Sequence, residues 1–167
     1  MKKTITLGFM LALALILSYV ESLLPLAVGI PGIKLGLPNL LIVILLYLYG
    51  AREALLLNLL RIVLSGFMFG NLFAIAYAAS GAAVSFVVMY LLKKTERFSV
   101  TGVSLGGGVF HNIGQMLVAV FVVETYAPVV YLPVLLMAGL VTGGVIGLIS
   151  SRVLPYASRI VERYGKF

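Results

Sequence analysis

Six long apolar stretches run along the chain, and short polar or glycine-rich segments separate them. They cover approximately residues 5–24, 38–50, 54–65, 71–92, 99–123 and 131–153. A helix that crosses a bilayer needs about 20 mostly apolar residues, so the pattern predicts a bundle of six transmembrane helices. The second and third stretches are the shortest, and residues 50–53 leave room only for a tight turn between them. A re-entrant pair is the alternative for those two stretches.

The composition favours a membrane protein over a soluble one. The chain is 62% hydrophobic and 10% charged, with a mean hydropathy of +1.19. Soluble domains are about half apolar and about a quarter charged, so a soluble chain of this size could not cover so much apolar surface. We therefore predict an all-α integral membrane protein in which residues 1–167 form a single transmembrane domain, with a short cytoplasmic tail at 154–167.

The basic residues gather in alternate connecting segments of this layout. If the amino terminus is cytoplasmic, ten of the twelve face the cytoplasm: Lys2, Lys3, Arg52, Lys93, Lys94, Arg97, Arg152, Arg159, Arg163 and Lys166. Lys34 faces outward, and Arg61 lies within the third stretch. Basic residues prefer cytoplasmic loops, so we predict a multi-pass protein of the cell membrane with both termini inside. This orientation accounts for the net charge of +7 without a nucleic-acid partner.

Several residue types on which enzymes and pumps depend are missing or scarce. The chain has no cysteine, no aspartate and one histidine, so the sequence offers no zinc site and no aspartate-rich motif for a Mg²⁺-bound diphosphate. It also lacks a phosphate-binding loop with a following lysine, so it cannot use ATP by itself. We predict that the chain is not an enzyme and holds neither a metal nor a resident cofactor.

A charged residue interrupts the third stretch. Arg61 follows Asn58 by three residues, so both side chains lie on nearly the same helical face. Ionisable groups inside a membrane are costly unless they face a cavity or each other. Arg61 therefore needs an anionic ligand or a counter-charge, and Glu21 and Glu124 are the acids predicted on its side of the membrane. Buried pairs that hold the helices together are the alternative to a binding site.

Polar side chains also cluster on the fifth stretch. His111 and Gln115 are one turn apart, Asn112 lies beside them, and residues 106–108 are three glycines. Glycines at membrane depth loosen a helix or let a ligand or a neighbouring backbone approach closely. We predict that this face lines a pocket, while a histidine satisfied within the core is the alternative.

The first outer loop has an unusual composition. Residues 28–39 contain three glycines, at 29, 32 and 36, and two prolines among several apolar side chains. A simple solvent turn would be more polar. We predict a lid over the outer mouth of a cavity, with Lys34 and Asn39 as its polar contacts. A loop that lies on the lipid interface is the alternative.

Small residues at four-residue spacing predict close helix packing. The sixth stretch carries Gly139, Gly143 and Gly147, and this spacing lets helix backbones approach closely in lipid. The first stretch carries a weaker pair, Gly8 and Ala12. We predict internal packing for the first set and a candidate docking groove at the second.

Two motifs resemble a known family. The segments Pro31–Asn39 and Phe110–Gln115 are similar to those of the Gx transporter family, whose members are often labelled heptaprenyl diphosphate synthase component I. The six-span layout also resembles the S components of energy-coupling factor transporters. The resemblance implies a small-molecule capture subunit that opens outward and is gated by its first loop. Such subunits work with a transmembrane coupling protein and two cytoplasmic ATPases, and they dock through small residues on the first helix.

The resemblance also suggests ligand classes. The family is associated with flavin- and quinone-dependent electron export, which implies a flavin, a quinone precursor or an isoprenoid as the ligand. The predicted ligand-binding residues are Lys34, Asn39, Arg61, Asn58, His111, Asn112, Gln115 and Glu21. One alternative is a non-catalytic accessory subunit of prenyl diphosphate or menaquinone synthesis. Another is a structural subunit of an envelope electron-transfer complex, in which Arg61 pairs with Glu21 or Glu124 and no cavity is present.

Overall fold

The computed structural model describes residues 2–24, 35–124 and 126–164 of the chain, and nearly all of these residues are helical. The described part contains no strand. Its elements are α1 (Lys2–Leu23), α2 (Leu37–Leu48), α3 (Ala51–Phe69), α4 (Leu72–Lys94), α5 (Val100–Val123), a 3₁₀ helix (Ala127–Tyr131) and α6 (Leu132–Tyr164). Each of the six predicted apolar stretches therefore corresponds to one α-helix.

Local capping explains where several of these helices begin. The side chain of Asn71 accepts a hydrogen bond from the backbone N–H of Ala74 at 2.8 Å, and this bond satisfies one of the free donors at the start of α4. Ser99 does the same for Gly102 at the start of α5. Gly50 has a φ of 96°, a left-handed conformation that suits glycine and allows the sharp turn from α2 into α3.

Four elements are long and apolar enough to cross a membrane: α1, α4, α5, and α6 together with the 3₁₀ helix before it. The chain is therefore a membrane protein by helix length and composition. Helix α2 has 12 residues and is about 18 Å long, which is short for a crossing. Helix α3 has 19 residues but carries Arg52, Glu53 and Arg61. These two helices are the pair for which the sequence left a re-entrant arrangement as the alternative.

Two helices extend beyond the predicted apolar stretches. Helix α3 covers 51–69 rather than 54–65, and α6 continues to Tyr164 with Pro155 inside it. Hydropathy marks only the apolar part of a helix, whereas the backbone hydrogen bonds continue into polar residues. Proline removes one backbone donor, and the helix continues past that gap. The segment predicted as a tail, 154–167, is thus a continuation of α6 as far as residue 164.

Helix α2 forms the centre of the core. Ile42, Val43, Leu45 and Leu46 are at most 1% exposed, and α2 packs against α1, α3 and α6. A helix that is apolar on all sides is stable only when other elements surround it. The short α2 is therefore held inside the bundle by its neighbours.

Helices α5 and α6 are antiparallel and approach closely at glycines. A Cβ added at Gly139 would lie 2.6 Å from the carbonyl oxygen of Gly108, and one added at Gly147 would lie 2.7 Å from the Cα of Thr101. Gly143 lies between them and meets the same helix. The predicted close packing at four-residue spacing is therefore confirmed, and its partner is α5.

We expect Gly147→Ala to destabilise the bundle by about 1–3 kcal/mol, because the new methyl group would overlap backbone atoms that cannot move aside. Gly144→Ala is the matched control on the same helix, since its Cβ would meet only a side-chain atom of Leu105 at 3.4 Å. Thermal unfolding in one detergent measures both. Equal melting temperatures for the two variants would contradict this packing.

Contacts between helices bring the basic residues to one end of the bundle. Lys3 Nζ lies 2.6 Å from Glu53 Oε1, which joins the starts of α1 and α3. The hydrogen bond from the Lys3 ammonium lowers the pKa of the Glu53 carboxyl. Lys93 donates a hydrogen bond to the carbonyl oxygen of Leu46 at 2.5 Å, and its Nζ lies 4.8 Å from the centre of the Tyr47 ring. Because α6 is antiparallel to α5, its arginine-bearing carboxyl half lies at this end too.

Candidate functional site

A polar cavity lies between the helices, and all six α-helices contribute to its wall. Its volume is about 90 Å³, which is enough for several water molecules. The cavity brings together six of the eight predicted ligand-binding residues: Glu21, Asn39, Arg61, His111, Asn112 and Gln115. Polar groups that are far apart in the sequence thus face one another inside an apolar bundle.

Arg61 is the charged group at the centre of this arrangement. The residue is 8% exposed, and it lines the cavity. Asn58, the seventh predicted residue, is also buried and supports the guanidinium from one turn earlier. Its Oδ1 accepts hydrogen bonds from Arg61 Nη2 at 2.7 Å and from Arg61 Nε at 3.3 Å. Asn58 therefore orients Arg61 and does not itself line the cavity.

No carboxylate forms an ion pair with Arg61 in the described ranges, which include all five acidic residues. Glu21 lies on the same cavity and attracts the guanidinium electrostatically, but its Oε1 accepts a hydrogen bond from the backbone N–H of Gly36. Glu124 is exposed at the end of α5, and no interaction joins it to Arg61. The ion pair with Glu21 or Glu124, which was the alternative to a ligand site at Arg61, is therefore not found among the described residues.

Glu21 has a structural role near the carboxyl end of α1. Gly36 precedes α2 and has a φ of 71°, a left-handed conformation that glycine tolerates. The hydrogen bond from Gly36 N–H to Glu21 connects the first turn of α2 to α1. Asn39 follows in that first turn and lines the cavity. Lys34, the eighth predicted residue, lies outside the described residues, as do Gly29 and Gly32 of the predicted lid.

One face of α5 forms the opposite wall. Gln115 is buried, and His111 lies one turn earlier against Gly81 of α4, where a Cβ would come within 2.9 Å of His111 Nε2. Asn112 Nδ2 donates to the carbonyl oxygen of Leu135 at 2.5 Å, so its amide is held at the start of α6. These three side chains are fixed in place by α4 and α6.

The glycine run before these residues has two roles. Residues 106–108 remain helical, so they do not break α5. Gly107 packs against Met89, and Gly108 packs against the backbone of α6. Both glycines also line the cavity. Of the two alternatives that the glycine run left open, the close approach of a neighbouring backbone is the one observed, and α5 is continuous through these residues.

Residues 10–153 match the model of a known family, described as heptaprenyl diphosphate synthase component I. The match includes every residue that lines the cavity. The chain belongs to the heptaprenyl diphosphate synthase component I family. No curated protein and no solved structure matches it.

Three hydroxyl residues that line the cavity of this family member were not predicted from the sequence. They are Ser85, Ser104 and Thr142, and Ser104 donates to the carbonyl oxygen of Gly143 at 2.8 Å. Ser104 lies seven residues before His111, which is two helical turns on the same face of α5. This spacing could have identified Ser104 as a further cavity residue. Ser85 and Thr142 lie alone among apolar neighbours on α4 and α6, so no pattern marked them.

The cavity of this family member offers hydrogen-bonding groups, the buried positive charge of Arg61 and the carboxyl group of Glu21. Across the described residues, no group of three His, Cys, Asp or Glu side chains comes close enough to hold a metal ion. The guanidinium presents several donors in a plane, a geometry that matches carboxylate and phosphate oxygens. The arrangement is therefore suited to holding the anionic group of a small molecule.

Proposed function

We propose that this chain is a non-catalytic membrane subunit whose interhelical cavity binds a small molecule through an anionic group, with Arg61 as the anchor. One observation carries the proposal: a buried guanidinium faces a polar cavity without a carboxylate in contact. Burial of an unpaired charge is costly, and a bound anion would remove that cost. Asn39, His111, Asn112 and Gln115 would recognise the rest of the molecule.

The cavity size limits which part of a ligand could be bound within this proposal. Pockets for drug-sized ligands have volumes of about 300–1,000 Å³, whereas this cavity has about 90 Å³. A flavin, a quinone precursor or an isoprenoid would place only its polar or anionic end there. A lid formed by the segment before α2, with Gly29, Gly32 and Lys34, would cover the ligand from the outer side.

The proposal includes capture for transport. As in the S components that the sequence resembles, the subunit would work with a transmembrane coupling protein and cytoplasmic ATPases. A small-residue surface on α1 is consistent with docking of a partner, because a Cβ added at Gly8 would meet nothing within 4 Å. In this scheme residues 1–167 act as one transmembrane domain of six spans, with 154–167 on the cytoplasmic side.

Analysis of co-purified small molecules tests this function. The chain is purified in mild detergent, small molecules are extracted, and mass spectrometry compares them with those from an unrelated membrane protein prepared in the same way. We expect an anionic compound in about equal molar amount to the protein. The absence of any anionic compound beyond those in the control would count against the proposal.

Orientation is tested with introduced cysteines, because the native chain contains none. Tyr126, between α5 and α6, is 81% exposed, and Arg97, between α4 and α5, is exposed. A membrane-impermeant thiol reagent applied to intact cells is expected to label Tyr126→Cys and to label Arg97→Cys only after lysis. The reverse pattern would show that the termini lie outside.

The family points to a second candidate function. Its description names one component of a heptaprenyl diphosphate synthase, which implies a partner component and is consistent with an accessory role. In that role the chain would hold a prenyl diphosphate for a separate catalytic subunit. We would then expect a prenyl diphosphate synthase to work at least tenfold faster with this chain in nanodiscs than with empty nanodiscs. If the rate of the synthase does not change, the accessory role is contradicted and the role as a capture subunit is favoured.

A further inference from the structure

A second opening leads to Arg61 from the side of the bundle. It lies between α1 and α4, with α3 as its floor, and has a volume of about 160 Å³. We call it the α1/α4 cleft. Glu21, Arg61 and Ala78 line both this cleft and the central cavity. The guanidinium of Arg61 therefore stands where the two spaces meet.

The cleft becomes apolar away from Arg61 and Glu21. Its hydroxyl groups belong to Ser18, Ser22 and Ser65, and each donates a hydrogen bond to a carbonyl oxygen of its own helix, at 2.8, 2.6 and 3.3 Å. Hydroxyls that are satisfied in this way tolerate an apolar neighbour. The opposite wall is made of small residues such as Ala74. This end of the cleft is therefore better suited to a hydrocarbon chain than to a charged group.

The position of α1 leaves this cleft accessible from the membrane side. Helix α1 packs mainly on α2 and α3 and is the least buried of the four long apolar helices. Phe69 lines the cleft, is 39% exposed, and lies with its ring centre 4.9 Å from that of Tyr19, which is 46% exposed. Exposed apolar side chains on a membrane helix contact lipid. The cleft thus joins a lipid-facing surface to a buried charge.

We propose that the ligand is an anionic amphiphile that enters through the α1/α4 cleft. Its carboxylate or phosphate group binds Arg61, and its hydrocarbon part remains in the cleft. This inference rests on the proposed anion site but adds the substrate class and a lateral route of access. A water-soluble anion without a hydrocarbon part would use only the central cavity.

Short-chain probes test the inference with the whole chain in lipid nanodiscs. Binding of hexyl phosphate and of inorganic phosphate is measured by titration, with empty nanodiscs as the blank for partitioning. We expect hexyl phosphate to bind at least tenfold more tightly. Ala74→Phe, which fills the cleft but not the central cavity, should remove this gain and leave phosphate affinity unchanged. Ala76→Phe, at an exposed position on the same helix, should change neither affinity.

The outcomes separate this inference from the proposed function. Unchanged phosphate affinity in Ala74→Phe shows that the variant is folded. If that variant still binds hexyl phosphate as the wild type does, or if the wild type binds both probes equally, the lateral route is wrong and the anion site stands. If Arg61→Gln alters the affinity for neither probe, the proposed function itself fails. Hexanoate in place of hexyl phosphate distinguishes a carboxylate from a phosphate preference.

Discussion

Arg61→Gln is expected to weaken anion binding by the cavity more than any other single substitution. Hydrogen bonds to a charged group contribute about 1.5–3 kcal/mol, and each 1.4 kcal/mol is tenfold in affinity, so the loss should be between about tenfold and a hundredfold. Ligands that bind the native state raise its melting temperature. We therefore expect acetate, phosphate or pyrophosphate to stabilise the wild-type protein in nanodiscs and to leave Arg61→Gln unaffected.

Arg97→Gln is the matched control for this experiment. It removes the same charge from an exposed position between α4 and α5 that lines neither the cavity nor the α1/α4 cleft. Its response to the anions should equal that of the wild type. If Arg61→Gln is stabilised by anions as much as the control, the guanidinium is not their binding site.

Asn58→Leu is expected to cause the largest loss of stability among the cavity variants. It removes both hydrogen bonds to the guanidinium and leaves a buried cation with fewer partners. Loss of a hydrogen-bonding partner from a buried charged group costs about 1.5–3 kcal/mol or more. Unfolding by a denaturing detergent, in the absence of added anions, measures the change.

The double variant Asn58→Leu/Arg61→Leu provides the test of mechanism. Replacing both members of a buried polar pair by apolar groups is often neutral or stabilising, whereas removal of one member is costly. The double variant should therefore be more stable than Asn58→Leu alone. Additive losses would mean that Asn58 stabilises the helix independently of Arg61, and the account of how Arg61 is held would be wrong.

The sequence predicted the helices well because hydropathy measures what lipid demands of a helix. Six apolar stretches gave six helices, and the four-residue glycine spacing on α6 gave its packing on α5. Hydropathy was less informative at helix ends. It stopped the third and sixth stretches at polar residues and proline, where the backbone hydrogen bonds in fact continue. It also did not indicate that the 12-residue α2 is enclosed by other helices of the bundle.

The candidate site was partly predictable because polar residues are rare at membrane depth. Arg61, His111 and Gln115 stood out for that reason, and the cavity brings them together. Their partners were harder to infer. The sequence left a carboxylate or an anionic ligand open for Arg61 and placed Asn58 on the same helical face, but it did not show that the Asn58 amide would accept hydrogen bonds from the guanidinium. The α1/α4 cleft exists because α1 packs on α2 and α3 and leaves α4 uncovered on that side. No local sequence pattern predicts this packing arrangement.

Family membership bears on the complex in which the chain works, whereas the cavity geometry bears on what the chain binds. The family description names a component of a synthase rather than a complete enzyme. The cavity offers a buried cation, the carboxyl group of Glu21 and neutral hydrogen-bonding groups, an arrangement that suits binding. A subunit that holds an anionic molecule in the membrane is compatible with capture for transport and with presentation to a synthase. In both proposed roles Arg61 would be the anchor, so the identity of the molecule in the cavity is the central question.

Native mass spectrometry of the wild-type protein and of Arg61→Gln, each released from identical nanodiscs, tests the anion site most directly. The account predicts that the wild type carries a small-molecule adduct, that this adduct leaves as an anion on collisional activation, and that Arg61→Gln lacks it. The Arg97→Gln control should retain the adduct. The same adduct on Arg61→Gln, or no adduct on any of the three proteins, would contradict the account.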